Sequence, residues 1–74
     1  MRPHLHVTQR QVLSRLVRGR RPAEIAKELK IGVSAVSARI CSSRRSLGAR
    51  NNFELVARAI ALGLVEAPPA AEGD

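Results

Sequence analysis

From Leu5 to Leu64 the apolar residues recur at spacings of three and four and never fall into alternation, a pattern that belongs to helices and not to half-buried strands. β-Branched residues are scattered, and no internal repeat is present. The chain has 74 residues, enough for one domain with one small core. Domains of this size usually lean on a disulfide, a metal or a partner subunit. Cys41 is the single cysteine, so a disulfide within the chain is impossible. One cysteine fits a reducing compartment. His4 and His6 stand two apart near the start, but they lack the further ligands a structural metal needs. No metal and no cofactor is expected, and a partner subunit remains the open source of added stability.

Glycine and proline cut the pattern into four helical segments. The first runs from Val7 or Thr8 to Val17, with Val12, Leu13, Leu16 and Val17 on one face. Leu5 is placed to staple its start, and Gly19 suits a left-handed cap at its end. The second starts near Pro22, a favourable first-turn residue, and shows Ala23, Ile25, Ala26 and Leu29 as a small apolar face. Glu24 lies where the helix dipole favours an acid, and Lys27 and Lys30 lie where it favours cations. After the tight link Lys30-Ile31-Gly32, the third segment runs from Val33 to about Ser46. Val36, Ile40, Ser43 and Leu47 form its stripe; Ser43 can return its hydroxyl to the backbone one turn earlier. Leu47-Gly48 ends it. Asn51 or Asn52 caps the fourth segment, Phe53 to Leu62 or Leu64. The resulting division is an arm (residues 1–4), a domain (5–66) and an acidic, proline-rich tail (67–74) expected to be disordered.

Charge narrows the function. Residues 1–58 hold all 13 basic residues against Glu24, Glu28 and Glu54, a net +10, while residues 59–74 hold only Glu66, Glu72 and Asp74. Eleven of the basic residues are arginine, the side chain that grips phosphate bidentately. A folded body this basic points to a polyanion. Phe53 is the only aromatic residue, so there is no stacking platform for single strands, and double-stranded DNA is the favoured partner. No run of residues matches a secretory signal or a membrane span. No carboxylate pair, nucleophile-base pair or metal set suggests an enzyme.

Two short helices joined by a three- or four-residue turn form a helix-turn-helix, whose second helix enters the major groove. Here the second segment supports and the third reads. Projected at 100° per residue, the third segment turns Val33, Val36, Ile40, Ser43 and Leu47 inward. Ser34, Ala38, Cys41 and Arg45 lie opposite, flanked by Ser37, Ser42 and Arg44. Small side chains permit close approach, serine can bond base edges or phosphates, and alanine or cysteine can touch a thymine methyl. Arg39, Arg44 and Arg45 are placed for phosphates or a guanine edge. Arg20 and Arg21, with Arg18, form a second basic cluster near the DNA backbone. A plain solvated helix face is the competing reading for the serines, and a solvated turn for the arginine cluster. Cys41, with basic neighbours, reads either as a redox thiol or as an inert small filler.

The fourth segment carries apolar or small residues over an arc of about 220°, wider than one buried flank needs. Leu55 and Leu62 lie on the edge of this arc away from Val56 and Ile60. The excess suggests a two-fold dimer, with Phe53, Leu55, Ala59 and Leu62 as contacts. The alternative is a protein-interaction module that docks on RNA polymerase or another regulator through this helix.

Gln11-Val12-Leu13, Leu16, Gly19, Glu24-Ile25-Ala26 with Leu29, Val36, Leu47-Gly48, Arg50-Asn51, Glu54 with Val56-Ala57, and Leu62-Gly63-Leu64 run ungapped along the chain. Over residues 5–64 this set resembles the DNA-binding domain of the LuxR/GerE family of bacterial transcription regulators. The resemblance implies an all-α, four-helix domain that reads the major groove with its third helix and forms a homodimer through its fourth. It also implies contacts from Ser37, Ala38, Cys41 and Ser42, with Arg39 where the family often has histidine. The chain departs from the family pattern at His6, where threonine is frequent, at Gln9 and Gln11, where glutamate is frequent, and at Gly32, Ala35 and Ser37 around the start of the third helix. Ser43 stands where an apolar residue is usual. No receiver or ligand-binding domain accompanies these residues, so the resemblance is to stand-alone regulators of the family or to a fragment of a larger protein. The expectation is a sequence-specific transcription regulator in the cytoplasm, at the bacterial nucleoid.

Overall fold

The computed structural model describes residues 5–67. The expected arm, residues 1–4, and residues 68–74 of the expected tail lie outside the described residues. The described part is all-helical: α1 (Val7–Val17), α2 (Pro22–Leu29), α3 (Val33–Leu47) and α4 (Asn52–Ala61).

Three of the four helix starts have a local side-chain cause. The His6 imidazole Nδ1 accepts from the Thr8 N–H at 3.3 Å, and the Gln9 side chain accepts from the His6 N–H at 2.8 Å. Pro22 opens α2, and the Glu24 carboxylate accepts from the Arg21 N–H at 2.8 Å. Asn51 Oδ1 accepts from the Glu54 N–H at 2.8 Å at the start of α4. Such contacts satisfy N–H groups that have no partner inside the helix.

The helix ends share one device. A backbone N–H beyond the end returns to a carbonyl five residues back: Arg20 to Arg15, Ile31 to Ala26, Ala49 to Arg44, and Leu64 to Ala59. Gly48 takes the left-handed backbone this needs after α3, at φ 67°. After α2 the left-handed residue is Lys30, at φ 58° and ψ 44°. Gly32, in the same three-residue link, has φ −75° and caps α3 instead. The glycine of the α2–α3 link therefore does not serve the left-handed position, and a lysine bears that cost.

α1 and α3 each pack against the other three helices, while α2 and α4 touch only those two. The shared core holds Leu5, Val12, Leu13, Ile25, Ala26, Val36, Ile40, Leu47, Leu55, Ala59 and Leu64. Leu5 enters this core instead of stapling α1 locally, since Arg10, one turn into the helix, is exposed. The α3 stripe of Val36, Ile40, Ser43 and Leu47 is buried throughout. Ser43 is 1 % exposed, and its hydroxyl donates to the Arg39 carbonyl at 2.7 Å. Val33, expected inward, is half exposed: as the first residue of α3 it stands outside the core cluster. Among the described residues no helix is long and apolar enough to cross a membrane.

Candidate nucleic-acid interface

α3 contributes its inner stripe to the core and leaves the opposite side uncovered. Ser34, Ser37, Ala38, Arg39, Cys41, Ser42 and Arg45 are all exposed, and Arg44 is half-buried. Small side chains therefore occupy the middle of this face along most of its length. Arg45 closes it at the C-terminal end. Arg39 and Arg44, five residues apart, diverge by about 140° around the axis and so stand on opposite edges. The helix contains no acid.

Neighbouring helices border the face on both edges. On the Arg39 edge, His6, Gln9, Arg39 and Ser42 line an open cleft of about 240 Å³. Gln9 is buried there, and its amide Nε2–H donates to Ser42 Oγ at 2.9 Å. On the Arg44 edge, Pro22, Ser37, Ile40, Cys41, Arg44 and Asn52 line a second cleft of about 230 Å³. There the Arg44 guanidinium donates to Asn52 Oδ1 at 3.3 Å, which ties the edge to the first turn of α4. Cys41 is an exposed thiol, so it does not fill the core.

Glu24, Glu28 and Glu54, three of the four acids in the described residues, are occupied elsewhere; Glu24 takes the Arg21 N–H. Glu28 pairs with Arg15 at 2.9 Å and with Arg20 at 3.3 Å. Glu54 accepts from the Arg50 N–H at 2.9 Å and pairs with its guanidinium at 3.2 Å. Those two Arg50 bonds, with Arg58 nearby, hold the Glu54 carboxyl below its usual range. Among the described residues Arg21, Arg39, Arg44 and Arg45 make no ion pair. Arg20, expected beside them, lines a cleft with Ser14, Arg15, Arg18 and Glu28 on the α1–α2 side. Its charge is drawn toward Glu28 and away from α3. Arg21 is exposed and directly precedes Pro22 of the Arg44-edge cleft.

α4 corrects the expected dimer contacts. Leu55 and Ala59 are both 0 % exposed and belong to the core, so neither can meet a partner while the domain stays folded. Phe53 is 83 % exposed and Leu62 is 37 % exposed. The outward apolar line of α4 is instead Phe53, Ala57 and Ala61, one turn apart, with Val56 and Ile60 half-buried along one side. A wide apolar arc does not say which sector turns inward. Docking against α1 and α3 chooses it, and it chooses the sector of Leu55 and Ala59.

Gln9, His6, Pro22 and Asn52 border the face but were not among the expected contacts. Gln9 and Ser42 lie 33 residues apart in the chain, and no local pattern connects them. Among the described residues no three His, Cys, Asp or Glu side chains gather as a metal site would require. Compared with known protein families the chain matches none, and no curated protein matches it.

Proposed function

We propose that the chain is a LuxR/GerE-type helix-turn-helix domain that binds duplex DNA through α3, as a homodimer joined along α4, and regulates transcription. One observation carries this reading: α3 presents a narrow, exposed strip of serine, alanine and cysteine with unpaired arginines on both edges and at its end. The major groove of B-DNA is about 12 Å wide, close to the diameter of a helix with its side chains. A helix with small residues in the middle can approach the base edges. Arg39 and Arg44, diverging to the two sides, then face the two phosphate chains that wall the groove, and Arg45 extends from the end. Arg21, just before the start of α2, adds a further cation beside the Arg44 edge.

The apolar line Phe53, Ala57 and Ala61 supports the dimer part of the reading, since alanines permit two helices to approach closely. Two α3 helices related by a two-fold axis would enter major grooves about 34 Å apart.

Fluorescence anisotropy with a labelled duplex, at several salt concentrations, tests the proposal. Four phosphate contacts per subunit, from Arg21, Arg39, Arg44 and Arg45, give a slope of log affinity against log salt of about −3.6 per subunit. Arg39→Ala or Arg45→Ala should lower that slope by about one per subunit. Weak, salt-independent binding refutes the proposal. Docking on RNA polymerase is distinguished by Phe53→Ser with Ala57→Glu: loss of polymerase binding, with the affinity of each subunit for DNA unchanged, favours the protein-interaction reading.

A further inference from the structure

We infer that Gln9 is a positioning residue that fixes Ser42 as a hydrogen-bond donor toward bound DNA; the inference rests on the duplex-binding reading above. A backbone N–H can only donate. The end of the Gln9 amide that meets the His6 N–H, at 2.8 Å, must therefore be the carbonyl oxygen. This contact settles the orientation of an amide that could otherwise be placed either way round. The other end, Nε2, carries the hydrogens and meets Ser42 Oγ at 2.9 Å. Gln9 is only 8 % exposed, so the amide has little room to turn.

Ser42 must then be the acceptor in that bond. Its own proton is left over. The neighbouring Ser43 spends its proton on the Arg39 carbonyl at 2.7 Å, whereas Ser42 makes no such return to its helix. Ser42 is an exposed residue on the proposed reading face. Accepting one hydrogen bond also polarises a hydroxyl and strengthens the bond it donates. Ser42 is thus set to seek an acceptor, beside the positive charge of Arg39 in the same cleft. A phosphate oxygen fits, and so does a major-groove acceptor such as purine N7, guanine O6 or thymine O4. An amino group of adenine or cytosine could use only the remaining lone pair and would leave the Ser42 proton without an acceptor. The direction of one hydrogen bond at the start of α1 thus biases what a residue of α3 can read.

Gln9→Glu tests this because it keeps length, shape and the acceptor for His6 but has no hydrogen to give. Ser42 must then turn its proton inward to the carboxylate. The new charge also acts on Arg39, and Ser42→Ala separates the two effects. Wild type, Gln9→Glu, Ser42→Ala and the double variant are compared on a random-sequence duplex pool, with affinity measured and the bound fraction sequenced. Gln9→Glu should weaken binding about three- to tenfold more when Ser42 is present than in the Ser42→Ala background. A loss uniform across sequences assigns the acceptor to phosphate. A changed base preference at one position per half-site assigns it to a base edge. Equal weakening in both backgrounds overturns the inference. Absence of binding by the wild type overturns the duplex reading and this inference with it. Should Gln9→Glu fail to fold by circular dichroism, Gln9→Met in the same cycle removes the donor without adding charge, and the same coupling decides.

Discussion

Leu55 and Phe53 stand two residues apart on α4, and the structure gives them opposite roles. Leu55 is 0 % exposed and sits in the core, while Phe53 is 83 % exposed. Leu55→Ala removes a fully buried side chain and leaves a cavity, at a cost of about 2.7–5 kcal/mol. A domain of this size holds roughly 4–11 kcal/mol of total stability, so the change consumes a large share. With a urea slope of about 1 kcal/mol per molar for a small protein, the unfolding midpoint should fall by roughly 3 M or more. Folding hides only about a sixth of the Phe53 surface. At about 1.5–3 kcal/mol for complete burial, Phe53→Ala should cost below about 0.5 kcal/mol within one subunit. Urea titrations followed by circular dichroism, at protein concentrations low enough to leave subunits separate, read both values. Repeating them at high concentration adds the dimer test: wild type should gain stability with concentration, and Phe53→Ala should gain less. Equal losses for the two variants at low concentration would refute the packing assigned to α4.

Three further outcomes are expected. Ser43→Ala should raise the melting temperature by about 2–4 °C, because the hydroxyl only doubles up on a carbonyl within α3 and alanine is the better helix former by about 0.5 kcal/mol; a lower melting temperature would show that the hydroxyl supports the core. Lys30→Gly should stabilise by about 0.5–1 kcal/mol, since the left-handed conformation at φ 58° costs a lysine more than glycine loses in chain entropy; a denaturant titration in which Lys30→Gly is less stable would mean that the lysine side chain holds the link. Glu54 has a lowered pKa, so its contribution is complete above about pH 4.5 and is lost as pH falls through the lower folded value. Melting temperature should therefore fall less steeply below pH 4.5 in Glu54→Gln than in wild type, and identical slopes would remove Glu54 from the acid response.

The elements of this fold are legible from spacing because helices repeat every 3.6 residues and three of the four stop just before a left-handed glycine. The buried stripe of α3 was fixed by Val36, Ile40, Ser43 and Leu47, including the polar member and its return bond. Other features were not legible, because they depend on how the helices meet or on where each one ends; the Gln9–Ser42 bond, 33 residues apart, is one. The sector of α4 that turns inward depends on where α1 and α3 lie. The left-handed position after α2 fell to Lys30 because the helix ends at Leu29, before the chain reaches Gly32. The partner of Arg20 is Glu28, which sits on the next helix and is shared with Arg15.

The exposed face of α3 owes its placement to that packing. α3 is held by the other three helices along one stripe, so its opposite side is presented without being supported by any contact of its own except at the edges. Those edge contacts are polar: Gln9 to Ser42 on one side and Arg44 to Asn52 on the other. Both hold side chains of the face itself, and neither adds appreciable apolar burial. Substitution of the exposed Asn52 should therefore change what the face binds more than how firmly the domain folds, whereas substitutions at Val36 or Ile40 should do the reverse. A stability loss above about 2 kcal/mol from Asn52→Ala, read by urea titration, would contradict this separation, because an exposed hydrogen bond between side chains is worth about 1 kcal/mol or less.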